Sequence, residues 1–124
     1  MIATAAERLW PEAQRESMQM PKFLYVYHGG GNMAAASKDD QQKAMQAWMG
    51  WFGELGKAVV DGGNPVGKST TVQSGSVANN GGANPASGYS IVEASGIDDA
   101  VAKAKGCPIL MVGGSVEVAE LLPM

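Results

Sequence analysis

The 124-residue chain predicts an α+β fold, and two patterns carry this prediction. One is a long helical pattern at residues 38–61, whose apolar side chains recur every three or four positions. The other is a set of four strand-like segments, at residues 22–28, 70–77, 88–94 and 115–122, with a shorter helical pattern at 95–105. The order strand, helix, strand, strand, helix, strand is the ferredoxin-like βαββαβ plan. In that plan a four-stranded antiparallel sheet carries two helices on one face.

Composition describes a small globular domain and argues against several functional classes. The sequence is 45% hydrophobic and 17% charged, with a formal net charge of −3. It has no basic stripe with interleaved aromatic residues, so we expect no nucleic-acid partner. Cys107 and His28 are the only residues of their types, which argues against a disulfide or a structural zinc site. No apolar run reaches the ~20 residues that cross a bilayer, and the N-terminus lacks the pattern of a secretory signal. We therefore expect a cytoplasmic protein without membrane contact, metal or cofactor.

The composition of the chain changes near residue 20. Residues 1–19 are rich in alanine and glutamate and predict at most short helices around Pro11, which are not stable alone. A strand-like passage begins at Met20. We therefore assign residues 1–19 to an N-terminal arm and residues 20–124 to one domain.

The helical pattern at residues 38–61 is the longest in the chain. Ser37 suits its N-cap, and Gly62 and Pro65 predict its end. Trp51 lies off the main apolar stripe, which makes it a candidate for a pocket wall or a dimer contact. The stripe that we expect to face the sheet consists of Met45, Trp48, Met49, Phe52, Leu55 and Val59.

Three glycines interrupt this helix at three-residue spacing, at positions 50, 53 and 56. Each costs about 1 kcal/mol relative to alanine in a helix interior. Close approach of the helix backbone to the sheet, or to another chain, would offset that cost. We expect such close packing here.

The first strand, residues 22–28, is apolar or aromatic on both faces. A buried tyrosine hydroxyl needs a partner that a dry core seldom offers, so we expect the aliphatic side to face the helices and the tyrosines to face away. Two helices cover only one face of the sheet, and the uncovered apolar face requires a partner. We therefore predict a homodimer packed sheet to sheet. The alternating sets are Phe23, Tyr25 and Tyr27 on one face, and Leu24, Val26 and His28 on the other.

His28 ends this strand immediately before the glycine run at residues 29–31, where a side chain can reach a cleft. It fits either a general base or a strand-end residue hydrogen-bonded to the backbone. Glu93, near the end of the third strand, is the carboxylate that we expect to meet it. We predict a ligand-binding cavity lined by Tyr25, Tyr27 and Glu93, with His28 at its rim as the candidate catalytic residue.

The octapeptide GGNPVGKS at residues 62–69 matches the phosphate-loop pattern GxxxxGK[ST]. That mechanism requires a strand before the loop and a helix after it, so that backbone amides converge on phosphate. Here a predicted helix precedes the octapeptide and a β-branched stretch follows it. We interpret it as a helix stop and a turn, and we expect no nucleotide binding. The long polar loop at 78–87 lacks periodicity, which is typical of functional or mobile loops.

Other charged or reactive side chains have structural explanations. Asp39 and Asp40, like Asp98 and Asp99, lie at predicted helix starts, where the helix dipole favours a negative charge. Cys107 has no histidine beside it in sequence, so we interpret it as a small buried residue.

Four stretches cover about residues 20–122 in order: KFLYVYHGG, WMGWFGELGKAVVDGGNPVGKSTTV, GYSIVEASGIDDAVAKAKGCPIL and GGSVEVAEL. In these stretches the chain resembles the YCII-related family, in particular its DGPF-type members of the dimeric α+β barrel superfamily. The resemblance implies a ferredoxin-like fold and a barrel-like homodimer. Family members proposed as enzymes are thought to use a histidine–aspartate pair, which is not evident in this sequence. NNGGANPASGYS stands in place of the DGPF segment, whose bearers are often encoded near extracytoplasmic-function sigma factors.

Two functions follow from these patterns. The first is a homodimer, binding or enzymatic, that holds a small molecule in a cavity at or near the sheet-to-sheet interface. The second is a non-catalytic accessory protein in transcriptional regulation, associated with a sigma factor and acting through protein–protein contact. A closed cavity with His28 and a carboxylate would favour the first function. An exposed apolar groove without convergent polar groups would favour the second.

Overall fold

The computed structural model of the chain describes residues 20–31, 35–79 and 84–123. The arm predicted at residues 1–19 lies outside the described residues, as do residues 80–83 of the loop predicted at 78–87. Within the described ranges, no helix combines the length and the apolar character needed to cross a membrane.

The described residues form an α+β architecture with two α-helices and a four-stranded antiparallel sheet, which confirms the predicted class. Short 3₁₀ turns at Gly56–Ala58 and Pro108–Val112 follow the two helices. In chain order the elements are β1 (Lys22–His28), α1 (Lys38–Leu55), β2 (Val59–Asp61), β3 (Thr71–Gln73), β4 (Ser76–Ala78), β5 (Ala86–Glu93), α2 (Ile97–Ala104) and β6 (Ser115–Glu120).

The main sheet has the strand order β2-β5-β1-β6, so β1 and β5 are its central strands. Every pairing in it is antiparallel; Leu24 of β1 lies opposite Ile91 of β5 and Ala119 of β6. Strands β3 and β4 form a separate two-stranded sheet. The bounds of β1 are those that the alternation predicts, and β6 begins at the predicted Ser115.

The second strand of the main sheet is not where the sequence places it. The β-branched stretch at 70–77 turns back on itself at Gly75, whose φ of +83° suits glycine, and becomes the β3–β4 hairpin. The edge position is filled by β2, which lies within the segment predicted as the end of the long helix. High β-propensity located a strand correctly but did not identify its partner, because pairing depends on contacts across the fold.

Helix α1 begins as predicted and ends earlier. The Ser37 hydroxyl accepts a hydrogen bond from the Asp40 backbone N–H at 3.1 Å, which is the expected N-cap. The helix ends at Leu55, because Gly56 adopts a φ of +55° and its N–H donates to the Phe52 carbonyl. The predicted continuation to Asp61 is therefore wrong.

Trp51, and not the methionines of the predicted stripe, fills the core beneath α1. Trp51 is 4% exposed, whereas Met45 and Met49 are 64% and 67% exposed. Trp48 packs beside it, with ring centroids 5.7 Å apart. The prediction that Trp51 forms a pocket wall or dimer contact is wrong. The helix faces the sheet with its aromatic rings: Trp51 stacks on Tyr25, and Trp48 meets Tyr27 edge to face.

The glycines of α1 do not approach the sheet. A Cβ atom added at Gly50 or Gly53 would meet no other atom within 4 Å, apart from the helix's own backbone and chain neighbours. Gly56 is explained by its positive φ at the helix end. The expected close packing of this ridge on the sheet is therefore wrong, while packing of Gly50 and Gly53 against another chain stays a prediction.

The sheet face beneath the helices is aromatic, opposite to the prediction. Tyr25 is fully buried and Tyr27 is 5% exposed, and the Tyr25 ring stacks on Trp51 with centroids 6.1 Å apart. The Tyr25 hydroxyl donates to the Ala100 carbonyl, and the Tyr27 hydroxyl donates to Ser90 Oγ at 2.7 Å. The core thus supplies the hydrogen-bond acceptors that the prediction assumed to be absent, and the tyrosines face inward.

Helix α2 closes the core on the side of β1 and β6. Ala100 and Ala104 are buried, and their small side chains leave room for the rings of β1. The Lys103 carbonyl accepts the Trp51 indole N–H at 3.1 Å, which joins the two helices. At the start of α2, the Asp99 carboxylate accepts the Ser95 backbone N–H at 2.9 Å. Its hydrogen bond from Lys103 lowers the pKa of Asp99 below its usual value.

Candidate functional site

The predicted cavity of Tyr25, Tyr27 and Glu93 is not formed. Both tyrosines lie in the core under the helices, whereas Glu93 lies opposite Lys22 at the far end of β1 from His28. Burial raises the pKa of Tyr25 to about 12, and burial also raises the pKa of Tyr27. These hydroxyls stay protonated at neutral pH and serve the packing of the core.

The Tyr27 hydroxyl belongs to a short buried chain of hydrogen bonds. Ser90 Oγ accepts from Tyr27 and donates to the Gly62 carbonyl, with both distances 2.7 Å. Ser90 itself is fully buried. This chain ties the centre of the sheet to the segment that follows β2, which explains why a serine occupies an inward position of β5.

The outward face of the sheet is apolar at its centre. Both helices of the described chain lie on the other face, with the buried side chains of β1 and β5. The outward side chains are half-buried in the single chain, apart from the exposed Ala119. They are Leu24 and Val26 of β1, Tyr89 and Ile91 of β5, and Ala119 of β6.

His28 stands at the end of this outward face and meets a carboxylate. Its Nε2 lies 3.2 Å from Glu117 Oε1, and its Nδ1 lies 3.3 Å from the Pro85 carbonyl oxygen. The His28 side chain is 11% exposed and that of Glu117 is 70% exposed. Two acceptors therefore flank the ring, and a neutral imidazole donates to one of them at a time.

The backbone around His28 fixes the direction of its ring. The pairing of β1 with β5 shifts register between Tyr27 and His28, so the strand end departs from regular alternation. Beyond it, Gly29 has a φ of +75°, and a Cβ there would lie 3.3 Å from Gly114 Cα. Gly114 is confined more tightly, because a Cβ would lie 2.7 Å from the His28 carbonyl oxygen. Glycines are therefore needed both after β1, at Gly29, and before β6, at Gly114, where the two strands meet.

A cleft of about 400 Å³ opens next to His28. Gly29 and Pro85 belong to its lining, and these are the residue after His28 and the residue whose carbonyl contacts its ring. His28 therefore lies beside a cleft that is not the predicted cavity, and it is not itself part of the lining. Its lining consists of Gly29, Gly31 and residues 66–69 and 85–87.

One wall of the cleft is the second half of the segment that resembles a phosphate loop, and this segment is hydrogen-bonded to β5. Val66 N–H donates to the Ser87 carbonyl at 3.0 Å, and Tyr89 N–H donates to the Asn64 carbonyl at 3.3 Å. Gly63 makes this path possible, since its φ is +73° and a Cβ there would overlap the Tyr89 carbonyl. The segment thus continues the sheet edge along β5 and leads into β3, and no helix begins between residues 62 and 71. A strand, β2, and not the predicted helix precedes residues 62–69, but the element that follows them is the strand β3, whereas a phosphate loop requires a helix there.

The cysteine and the potential metal ligands do not form a second site among the described residues. Cys107 is 2% exposed, and burial raises the pKa of its thiol to about 11, so it is a core residue as expected and not a nucleophile. Among residues 20–31, 35–79 and 84–123, no group of three or more His, Cys, Asp and Glu side chains is arranged to hold a metal ion.

Glu117, the carboxylate that meets His28, is the residue of the candidate site that the sequence analysis missed. The signal for it was present in the predicted topology, in which the last strand lies antiparallel beside the first. The start of that strand then lies next to the end of β1, where His28 is found. The choice of Glu93 assumed that the C-terminal end of the third strand lies near His28. Antiparallel pairing instead places Glu93 beside Lys22, at the opposite end of β1.

Comparison of the chain with protein-family models and with curated protein sequences gives no match.

Proposed function

We propose that the chain is a YCII-related homodimer that binds a small molecule beside His28, near the interface between two sheets. The strand order β2-β5-β1-β6 supports the ferredoxin-like plan, with the β3–β4 hairpin inserted between its second and third strands. The apolar outward face supports sheet-to-sheet pairing as in a dimeric α+β barrel, because such a face is unfavourable in water.

The observation that carries the proposal is the contact of His28 with Glu117, next to the cleft that Gly29 and Pro85 line. The resemblance implies a histidine–aspartate pair, and a histidine–glutamate pair offers the same chemistry with a longer side chain. The Pro85 carbonyl orients the ring through Nδ1, which directs Nε2 towards Glu117. A ligand that displaces the exposed Glu117 carboxylate would meet Nε2 directly, where the ring can give or accept a proton.

Mass spectrometry of small molecules that co-purify with the native protein tests the proposal. Extracts of denatured wild-type protein should contain a metabolite that is depleted in His28→Gln and Glu117→Gln. Glu120→Gln is the matched control, since Glu120 is an exposed glutamate on the same strand. Extracts that are identical for all four proteins would contradict a ligand site at His28.

The second candidate function, an accessory protein acting through protein–protein contact, is favoured by a different surface. The 3₁₀ turn Pro108–Val112 exposes Leu110, Met111 and Val112, with Met111 87% exposed. An apolar turn of this kind suits a protein partner. Met111→Lys should then abolish the effect of the protein on transcription in cells while leaving the amount of co-purified metabolite unchanged. Loss of the metabolite in Met111→Lys would argue against separate surfaces.

A further inference from the structure

We propose that the cleft next to His28 binds a small organic anion, such as a carboxylate or a phosphate monoester, through Lys68 and the Ser87 hydroxyl. This deepens the proposed function by naming the class of ligand. It rests on that proposal only in taking the cleft as the ligand site, and it requires neither the dimer nor proton transfer at His28.

Among the residues that the structure describes, Lys68 is the only charged one that lines the cleft. It forms no ion pair with any residue in the described ranges, although the chain as a whole carries an excess of acidic residues. By contrast, Lys103 is paired with Asp99 at 2.7 Å. An unpaired ammonium group at the wall of a cleft favours a negatively charged ligand, and a hydrogen bond to such a group is stronger than one between neutral groups.

Ser87 supplies the second, independent observation. Its Oγ is buried and has no hydrogen-bond partner in the part of the chain that the structure describes, whereas the nearby Ser90 Oγ has two. A buried hydroxyl without a partner is unfavourable, and native structures contain few of them. Ser87 lines the same cleft as Lys68. Rotation of the Ser87 side chain towards the cleft would let an anionic oxygen there accept its O–H and approach the Lys68 ammonium group.

The rest of the lining favours an organic anion over a bare ion. Val66, Pro85 and Ala86 give the cleft an apolar wall, and its volume of about 400 Å³ lies in the range of small-metabolite pockets. Gly31, whose φ of +75° disfavours other residues, adds no side chain to the lining. An anionic head at Lys68 with a compact apolar body therefore fits the cleft.

Amide chemical shifts of ¹⁵N-labelled protein test this inference with three probes of similar size: phenyl phosphate, benzoate and neutral benzyl alcohol. At least one anion should give saturable shifts at Gly29, Gly31, residues 66–69 and Ser87, and benzyl alcohol should bind at least about tenfold more weakly. Equal affinity for benzyl alcohol, or no saturable shift with either anion, would overturn the inference.

Four variants separate the groups involved. Lys68→Met and Ser87→Ala should weaken anion binding, by about tenfold for the lysine. Lys43→Met, which removes an exposed lysine of α1, should leave binding unchanged. Gly67→Asp should abolish binding without unfolding the protein, since a Cβ at Gly67 meets no atom within 4 Å.

The ligand-free state gives a further readout. Ser87→Ala should keep or raise the thermal midpoint of the ligand-free protein, because it removes an unsatisfied hydroxyl. Binding that is unaffected by Lys68→Met would contradict the inference. Co-purification of a metabolite that depends on His28 but not on Lys68 would also contradict it while leaving the proposed function intact.

Discussion

Trp51 is the residue on which the packing of α1 depends most. Its side chain is 4% exposed, contacts Tyr25 and donates to the Lys103 carbonyl of α2. We expect Trp51→Ala to lower the free energy of unfolding by about 3–5 kcal/mol, since it leaves a cavity and an unpaired carbonyl. Met49→Ala, two positions away and 67% exposed, should change it by less than about 0.5 kcal/mol. Urea denaturation measures both values, and equal effects would show that the helix is rotated differently.

The raised pKa of Tyr25 leads us to expect that the protein loses stability in alkaline solution. Burial raises its pKa from 10.0 to about 12, so the folded protein resists ionisation of a group that ionises more readily when unfolded. The resulting stabilisation is complete below pH 10 and is lost as the pH rises towards 12. Tyr25→Phe should be less stable at pH 8, because the hydrogen bond to Ala100 is lost, yet show a shallower decline above pH 10. Urea midpoints across this range measure the slope. Equal slopes for the two proteins would contradict the role of Tyr25.

At this scale, the sequence identified His28 but not its environment. The lone histidine before a glycine run was a recognisable signal, and its ring contacts Pro85, which lines a cleft. Glu117 could be found only by combining strand order with register. The inward tyrosines were mispredicted because their acceptors, the Ala100 carbonyl and Ser90 Oγ, come from distant parts of the chain.

Among the elements, replacing a glycine by alanine is expected to have opposite effects on stability in α1 and in the segment that follows β2. Gly53 lies mid-helix with open space around it, so Gly53→Ala should raise the free energy of unfolding by up to about 1 kcal/mol. Gly63→Ala should lower it, because a Cβ would overlap the Tyr89 carbonyl and the φ of +73° disfavours alanine. Thermal denaturation at one fixed protein concentration compares them. A destabilised Gly53→Ala would indicate that the helix ridge packs against another chain.

Patterns within a short stretch of sequence correctly predicted the elements whose bounds depend on local interactions. Alternation fixed the bounds of β1, and the Ser37 cap fixed the start of α1. The edge strand β2 was missed because it has only three residues and because the helical pattern predicted at 38–61 continues through it. Its position depends on pairing with β5, which lies about thirty residues later in the chain, and no local pattern carries that information.

The whole molecule presents an aromatic core on one face of its sheet and an apolar surface on the other. The proposal that a second copy covers this surface predicts that a charge at its centre prevents association. Ile91→Asp places a carboxylate opposite Leu24 on this face and should give a monomer. Val72→Asp, at a 73% exposed position of the β3–β4 hairpin, is the matched control and should associate like the wild type. Circular dichroism checks that both variants remain folded.

The molar mass of the wild-type protein in solution tests the central claim most directly. Light scattering coupled to size exclusion, at micromolar concentration, should report twice the 12.8 kDa of one chain. Ile91→Asp should report the mass of a single chain under the same conditions. A wild-type mass of 12.8 kDa would contradict pairing of the outward sheet faces.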